Sequence, residues 1–323
     1  MNKLAYVFPG QGSQYVGMGK DIYSDNSRVQ DIFSTANSLL GKNLSKLCFE
    51  GPEEELKITY NTQPAILTTS YALYELAKKQ LPNPDYVAGH SLGEYTALVV
   101  SGAMSFADAV VTVQKRGEFM DSAVPAGVGA MAAVLGGDKE TIQMICEQVS
   151  DKEKIVQIAN INCPGQIVIS GHKDKVVLAT EKLKENGIKR VIPLVVSGPF
   201  HSKLMEPASE KLQEEVLNSI NMMNTVIPVV ANVNAKEITA SEEIKNALVK
   251  QVYSSVLWED SIRYMIQNGV DTFIEIGPGK VLSGLIKKID KSVNVYSVSD
   301  IETMNDVIEK IEYVRGNTNE IRA

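Results

Sequence analysis

The stretch YVAGHSLGEYTALVVSGA, residues 86–103, decides how the rest of the chain is read. Its first residues are short and apolar, as in a strand, and from about Gly93 the spacing becomes helical and runs to Gly102. Between the two, Ser91 has a glycine two positions away on either side, Gly89 and Gly93. This is G-x-S-x-G in a strand–turn–helix context, the setting a nucleophile elbow requires. A Cβ at either glycine would crowd the turn, and the helix that follows aims N–H groups and positive dipole potential at the serine. Ser91 is therefore either a nucleophile held at a sharp turn or the cap of an ordinary helix. The stretch alone does not choose.

Outward from it the elements alternate. Before it come an apolar strand-like run in LAYVFPGQGSQ, a helix over Val29–Leu40, and a helix over Pro64–Gln80 with Pro64 at its first position. After it, a helix runs from Phe106 to Ala123 with Ser105 as N-cap. Beyond Pro125 the pattern becomes strand (GAMAAVLG), helix, two strands around a Pro-Gly turn (KIVQIANINCPGQIVISG), helix, strand (KRVIPLVVSG). That β-α-β-β-α-β order predicts a small ferredoxin-like α+β subdomain over residues 127–197. Helix and strand then alternate again, through IPVVANV, EEIKNALVKQVY, VDTFIEIG and GKVLSGLIKKI. This implies a largely parallel sheet covered on both faces, in a discontinuous domain of residues 1–126 and 198–323. The segment MNDVIEKIEYVRG, with Met304, Val307, Ile308 and Ile311 at helical spacing, is expected to pack on the surface.

The 323 residues are 44% hydrophobic and 22% charged, with a net charge of −7, which argues against a nucleic-acid binder. No window is long and apolar enough to span a membrane, and the N-terminal run is too short for a signal peptide. Cys48, Cys146 and Cys163 are far apart and read as free buried thiols of a reducing cytoplasm. No clustered His/Cys/carboxylate pattern is present, so no metal is expected.

A serine needs a base, and the chain offers three histidines, His90, His172 and His201. His90 adjoins Ser91, where neighbouring side chains on a turn point apart. His172, in ISGHKDK, reads as a solvated loop residue. His201, in VVSGPFHSKLM, lies where the chain returns from the small subdomain to the large one, a place where clefts form, and is the candidate base. Arg116, in VVTVQKRGEFM, taken alone reads as a surface arginine beside Lys115; its alternative is a half-buried guanidinium gripping a carboxylate. FPGQGSQ has neither phosphate-loop nor dinucleotide spacing, and can instead present backbone N–H groups beside Ser91.

Taken together, VFPGQGSQYVGMG, GHSLGEYTAL, KRGEFM, VSGPFHS, NCPGQIVISGHK and EIGPGKVL resemble the malonyl-CoA:acyl carrier protein transacylases of fatty-acid synthesis, from Leu4 to about Ile289. The resemblance implies a hydrolase-like parallel α/β domain with a ferredoxin-like insert. It implies Ser91 as acylated nucleophile, His201 as its base, and the main-chain carbonyl of Gln251 orienting the histidine. The N–H groups of Gln11 and Leu92 would form the oxyanion hole, and Arg116 would pair with the malonyl carboxylate, reversing its reading above. Asn160, Gln166 and Arg190 match positions that line the thioester-carrying arm. Malonyl-CoA is then the substrate, acyl carrier protein a transient partner, and the enzyme a cytoplasmic monomer without bound cofactor. Because carriers are acidic, a basic rim drawn from Lys189, Arg190, Lys203, Lys280, Lys287 and Lys288 is expected. The alternatives are a polyketide-synthase acyltransferase acting in trans, a serine hydrolase or thioesterase, and, most remotely, a nucleotide-binding α/β protein.

Overall fold

The computed structural model describes residues 3–24 and 26–320, with side chains as far as 312. Among the described residues eleven strands form two sheets. They are β1 (Lys3–Phe8), β2 (Tyr86–Gly89), β3 (Gly129–Leu135), β4 (Val156–Cys163), β5 (Gln166–His172), β6 (Arg190–Pro193), β7 (Val229–Val230), β8 (Glu237–Ile238), β9 (Val256–Leu257), β10 (Val270–Ile276) and β11 (Asn294–Val298). The first sheet has the order β11-β10-β1-β2-β7-β8 and is parallel except for the β7–β8 edge. At its centre β1 and β2 are buried on both faces, which is why they read as unbroken apolar runs. The second sheet has the order β6-β3-β5-β4-β9 and is antiparallel apart from the β4–β9 pair.

The chain beyond residue 198 is not confined to the first sheet. β9, from Val256 and Leu257, adds a fifth strand to the second one, and Leu257 N–H donates to the Asn232 carbonyl at 2.9 Å. That tie joins the sheets at the level of Ser91, which Asn232 also touches.

Several local expectations change. The helix expected from Pro64 begins at Thr59 and carries Pro64 in its interior. Proline has no N–H to offer the carbonyl four residues earlier; the ammonium of Lys42 donates to that Tyr60 carbonyl instead, at 3.3 Å. The strand read through KRVIPLVVSG stops at Pro193, and Leu194–Ser197 continue as an exposed irregular segment with Val195 fully in solvent. The strand read in IPVVANV shrinks to two residues. His172 is not a solvated loop residue: it closes β5 half-buried, and its Nδ1 accepts the Ile155 N–H at 3.0 Å. Ser105 caps the helix Phe106–Ser122 through the Asp108 N–H as its sequence predicts, and the three cysteines are free and buried. Met304, Val307, Ile308 and Ile311 bury one face of the last helix. Among the described residues no helix is long and apolar enough to cross a membrane.

Candidate active site

Ser91 stands between β2 and the helix Gly93–Val100 with φ 50, a left-handed value that a side chain adopts at a cost of the order of 1 kcal/mol or more. What holds it there is close packing on both sides. A Cβ at position 89 would lie 1.9 Å from the Gly93 carbonyl carbon, and one at position 93 would lie 2.1 Å from the Phe8 carbonyl oxygen. The turn is also clamped by a side chain from the β7 end: Asn232 Oδ1 accepts the Ser91 N–H at 2.7 Å, and Asn232 Nδ2 donates to the Gly89 carbonyl at 2.7 Å.

The Ser91 hydroxyl lies 2.8 Å from His201 Nε2, across 110 residues of chain. His201 is itself left-handed, φ 56, and buried. Its Nδ1 lies 2.9 Å from the Gln251 main-chain oxygen. A carbonyl only accepts, so Nδ1 carries the hydrogen and Nε2 is left with its lone pair toward the serine. Burial, and then the Arg116 guanidinium, push the imidazole down to about 3, so at neutral pH it is the free base.

Arg116 is 1% exposed, which corrects its reading as a surface residue; the exposed cation is Lys115, which pairs with Glu118. Arg116 Nη1 donates to Gln63 Oε1 at 2.8 Å, and Nη2 donates to Gln251 Oε1 at 2.9 Å and to Ser91 Oγ at 3.1 Å. The guanidinium also stands over the Tyr95 ring, 5.5 Å from its centroid. Gly117 makes this possible. A Cβ there would lie 2.6 Å from Tyr60 Cα, so its absence lets the helices Thr59–Ala77 and Phe106–Ser122 close until Gln63 meets Arg116. Among the described residues no carboxylate forms an ion pair with Arg116. Its acceptors are two amides and a hydroxyl.

A cavity of about 220 Å³ opens over these groups, and Gln11, Ser91, Leu92, Arg116, Asn160 and His201 all line it. Met120, Met131, Val168 and Phe200 make its walls apolar. Among the described residues no protein acceptor faces the N–H of Gln11 or of Leu92. Gln166 and Arg190 are not brought to this cavity. Both register with Leu135 at the end of the second sheet, and Arg190 lines a separate open groove beside Gly136, Asp138 and Lys189. His90 lines the cavity, but its Nε2 meets Asn162 Oδ1 at 2.8 Å and its ring lies against Trp258, away from the Ser91–His201 pair.

Three residues of the site escaped the sequence reading. Gln63 and Asn232 carry no local signal, because a single amide in a helix or after a short strand is unremarked until its partners are known. Glu94 had one: it stands three residues past Ser91 within GHSLGE, in the first turn of a helix. It is fully buried and pushed up to about 7 by that burial. Its Oε2 accepts the Asn232 N–H at 2.9 Å and Gln251 Nε2 at 3.0 Å.

A family model described as an acyl transferase domain matches residues 5–314. The malonyl CoA-acyl carrier protein transacylase of Bacillus subtilis (strain 168) is 53% identical over 317 residues, 98% of this chain and 100% of that protein. The chain belongs to this transacylase family. The transacylase of Staphylococcus aureus (strain MRSA252) is 49% identical, over 94% of this chain and 97% of its own. Among solved structures, the malonyl CoA-acyl carrier protein transacylase of Clostridium perfringens matches with a TM-score of 0.94 at 42% identity, covering 98% of this chain and 99% of that one. A malonyl-transacylase solved in complex with its type II PKS acyl-carrier protein matches with a TM-score of 0.92 at 41% identity, over 95% of this chain and 99% of that one.

Proposed function

We propose that this chain moves a malonyl group from malonyl-CoA to the pantetheine thiol of an acyl carrier protein, through an ester on Ser91. His201, as free base, takes the Ser91 proton while Oγ attacks the thioester carbon. The oxyanion is received by the N–H groups of Gln11 and Leu92, and a donor of this kind contributes roughly 3–4 kcal/mol to the transition state. When the carbon–sulfur bond breaks, His201 returns the proton to the coenzyme A thiolate. The carrier's thiol then repeats the sequence against the ester. The Gln251 carbonyl holds the imidazole throughout, in the place an acid takes in a Ser-His-Asp triad.

The observation that carries this reading is Arg116. A buried cation, within hydrogen-bond reach of the nucleophile and partnered only by neutral acceptors, is built to receive a carboxylate in bidentate fashion. An acetyl group would leave it unpaired, at a cost of a few kcal/mol. Arg116→Ala should therefore lower kcat/KM for malonyl-CoA by about a hundredfold or more while lowering that for acetyl-CoA far less. Equal losses with both donors would contradict the assignment.

In this reading Asn160, inside the cavity, faces the inner end of the thioester-carrying arm, and Gln166 and Arg190 belong to its outer stretch. The β-α-β-β-α-β order and the arrangement β6-β3-β5-β4 support a ferredoxin-like insert at 127–197 within a hydrolase-like domain of 1–126 and 198–323. A cytoplasmic monomer with no resident cofactor accompanies it. The likeness to a transacylase bound to a polyketide carrier favours one second reading, in which the acceptor is a carrier of that class. Transfer assayed side by side to the two carrier types separates them.

A further inference from the structure

Gln251 occupies an unusual position. Its main-chain oxygen holds His201, its Nε2 donates to the Ser91 carbonyl at 3.0 Å, and its Oε1 accepts Arg116 Nη2 at 2.9 Å. The side-chain amide thus has a donor end and an acceptor end, and only one orientation serves both neighbours. Turned over, it would present its NH2 group to a guanidinium, donor against donor, and free the Arg116 head from one of its two amide props. Three acceptors surround the amide's NH2 end: the Ser91 carbonyl, Asn232 Oδ1 at 3.4 Å and Glu94 Oε2 at 3.0 Å, of which only the last belongs to an ionisable group.

We propose that Glu94 is a positioning residue for substrate selection: its buried carboxylate fixes the Gln251 amide and through it the aim of Arg116 at the substrate carboxylate, without touching substrate itself. Glu94 Oε2 accepts from both Asn232 N–H and Gln251 Nε2, while Glu94 Oε1 has no hydrogen-bond partner among the described residues. A proton taken up by the carboxyl therefore sits on Oε1, and Oε2 admits the NH2 end of Gln251 in either state. Gln251 Oε1 is then forced toward Arg116. The chain of acceptor, donor, acceptor, donor runs from Glu94 through one amide to the guanidinium. The same Oε2 holds the Asn232 N–H, and Asn232 clamps the Ser91 turn, so the carboxylate is anchored to the element that carries the nucleophile. When ionised, it also places a negative charge one amide away from Arg116, which has no carboxylate of its own among the described residues. Burial raises the Glu94 carboxyl, a cost the fold accepts beneath the turn.

The proposal rests on Arg116 as carboxylate anchor, and its test keeps the two separable. Kinetics of Glu94→Gln, Arg116→Ala and the double variant are measured with malonyl-CoA and acetyl-CoA, with thermal melts alongside. Glutamine at 94 removes the ionisable acceptor, leaving a neutral amide oxygen shared between Asn232 N–H and Gln251, and can donate as well as accept, which loosens the hold on the Gln251 amide. The malonyl-to-acetyl ratio of kcat/KM should fall about tenfold in Glu94→Gln, a loss of the size one misdirected charged hydrogen bond produces. It should fall further in Arg116→Ala, and the double variant should match Arg116→Ala alone, because both act through one guanidinium. A change in packing alone would lower both activities and leave the ratio where it was. An unmoved ratio in Glu94→Gln, or a double variant below Arg116→Ala, overturns the proposal and leaves the anchor standing. An unmoved ratio in Arg116→Ala overturns the anchor and the proposal with it. Should Glu94→Gln fail to fold, Glu94→Asp, still acceptor-only, is expected to keep the ratio within a few-fold of the unsubstituted protein; loss of the ratio there, or failure of both variants to fold, overturns the proposal as well.

Discussion

Two left-handed residues, Ser91 and His201, meet at the cavity, and each is positioned by a main-chain or amide group that bonds an atom other than its reacting one. The imidazole is kept neutral by burial and by the cation beside it, which has a cost that can be measured. In the folded chain His201 lies near 3, against an ordinary value of 6.5 when unfolded. Between those values the unfolded state binds the extra proton, so stability is lost as pH falls from about 6.5 toward 3. Glu94 works in the opposite sense. Its folded value near 7 exceeds the ordinary 4.5, so the folded state binds the extra proton and stability is gained as pH falls through that window. Of these two groups only the histidine contributes below about 4.5; carboxyls held low by their partners, such as Asp138 and Asp300, lose stability there as well, but they are common to both proteins and cancel in the comparison. Urea unfolding of His201→Gln at stepped pH should show a slope between pH 4.5 and 3 shallower than the unsubstituted protein by roughly one proton. Parallel slopes would mean that His201 is not held neutral.

At the scale of elements, the site depends on how closely two helices approach. Gly117 and Tyr60 are backbone to backbone, and Gln63, one turn along, props Arg116. Gly117→Ala should wedge the helices apart, costing roughly 1–3 kcal/mol as overpacking does. It should also lower malonyl transfer more than acetyl transfer, since the prop retreats; stability and the ratio measured together check both. The alternation of helix and strand, the elbow and the Ser105 cap were legible because each is local: a periodicity, a spacing, a side chain bonding its own turn. The helix start at Thr59 was hidden because Pro64 mimics a first position, and its missing N–H is compensated by Lys42 from elsewhere in the chain. β8 and β9 have two residues each, too few to carry a period, and exist because a neighbouring strand is there to pair with; β7, read as the longer IPVVANV, keeps only two. β11, with an exposed first residue, three half-buried ones and a buried last, was passed over for the same want of pattern. Arg116 illustrates the limit most plainly. Its burial follows from the close approach of Gly117 to Tyr60 and from Gln63 on the other helix, which its own helix does not disclose, and the family resemblance alone decided between its two readings.

For the whole molecule, the nucleophile comes from the first sheet, and the base comes from the strand-to-helix passage where the chain leaves the second. β9 and Asn232 fasten the sheets where these two meet, so the cavity is a property of both halves together. Such a site should hold its acyl group between two half-reactions, with the donor gone and the acceptor not yet arrived. Incubating the protein with malonyl-CoA and no carrier, then digesting and weighing the peptides, tests this most directly. One malonyl group on Ser91, lost on addition of a carrier's pantetheine thiol and absent from Ser91→Ala, is the expected result. An unmodified Ser91, or an adduct that goes to free malonate and not to the thiol, would contradict it.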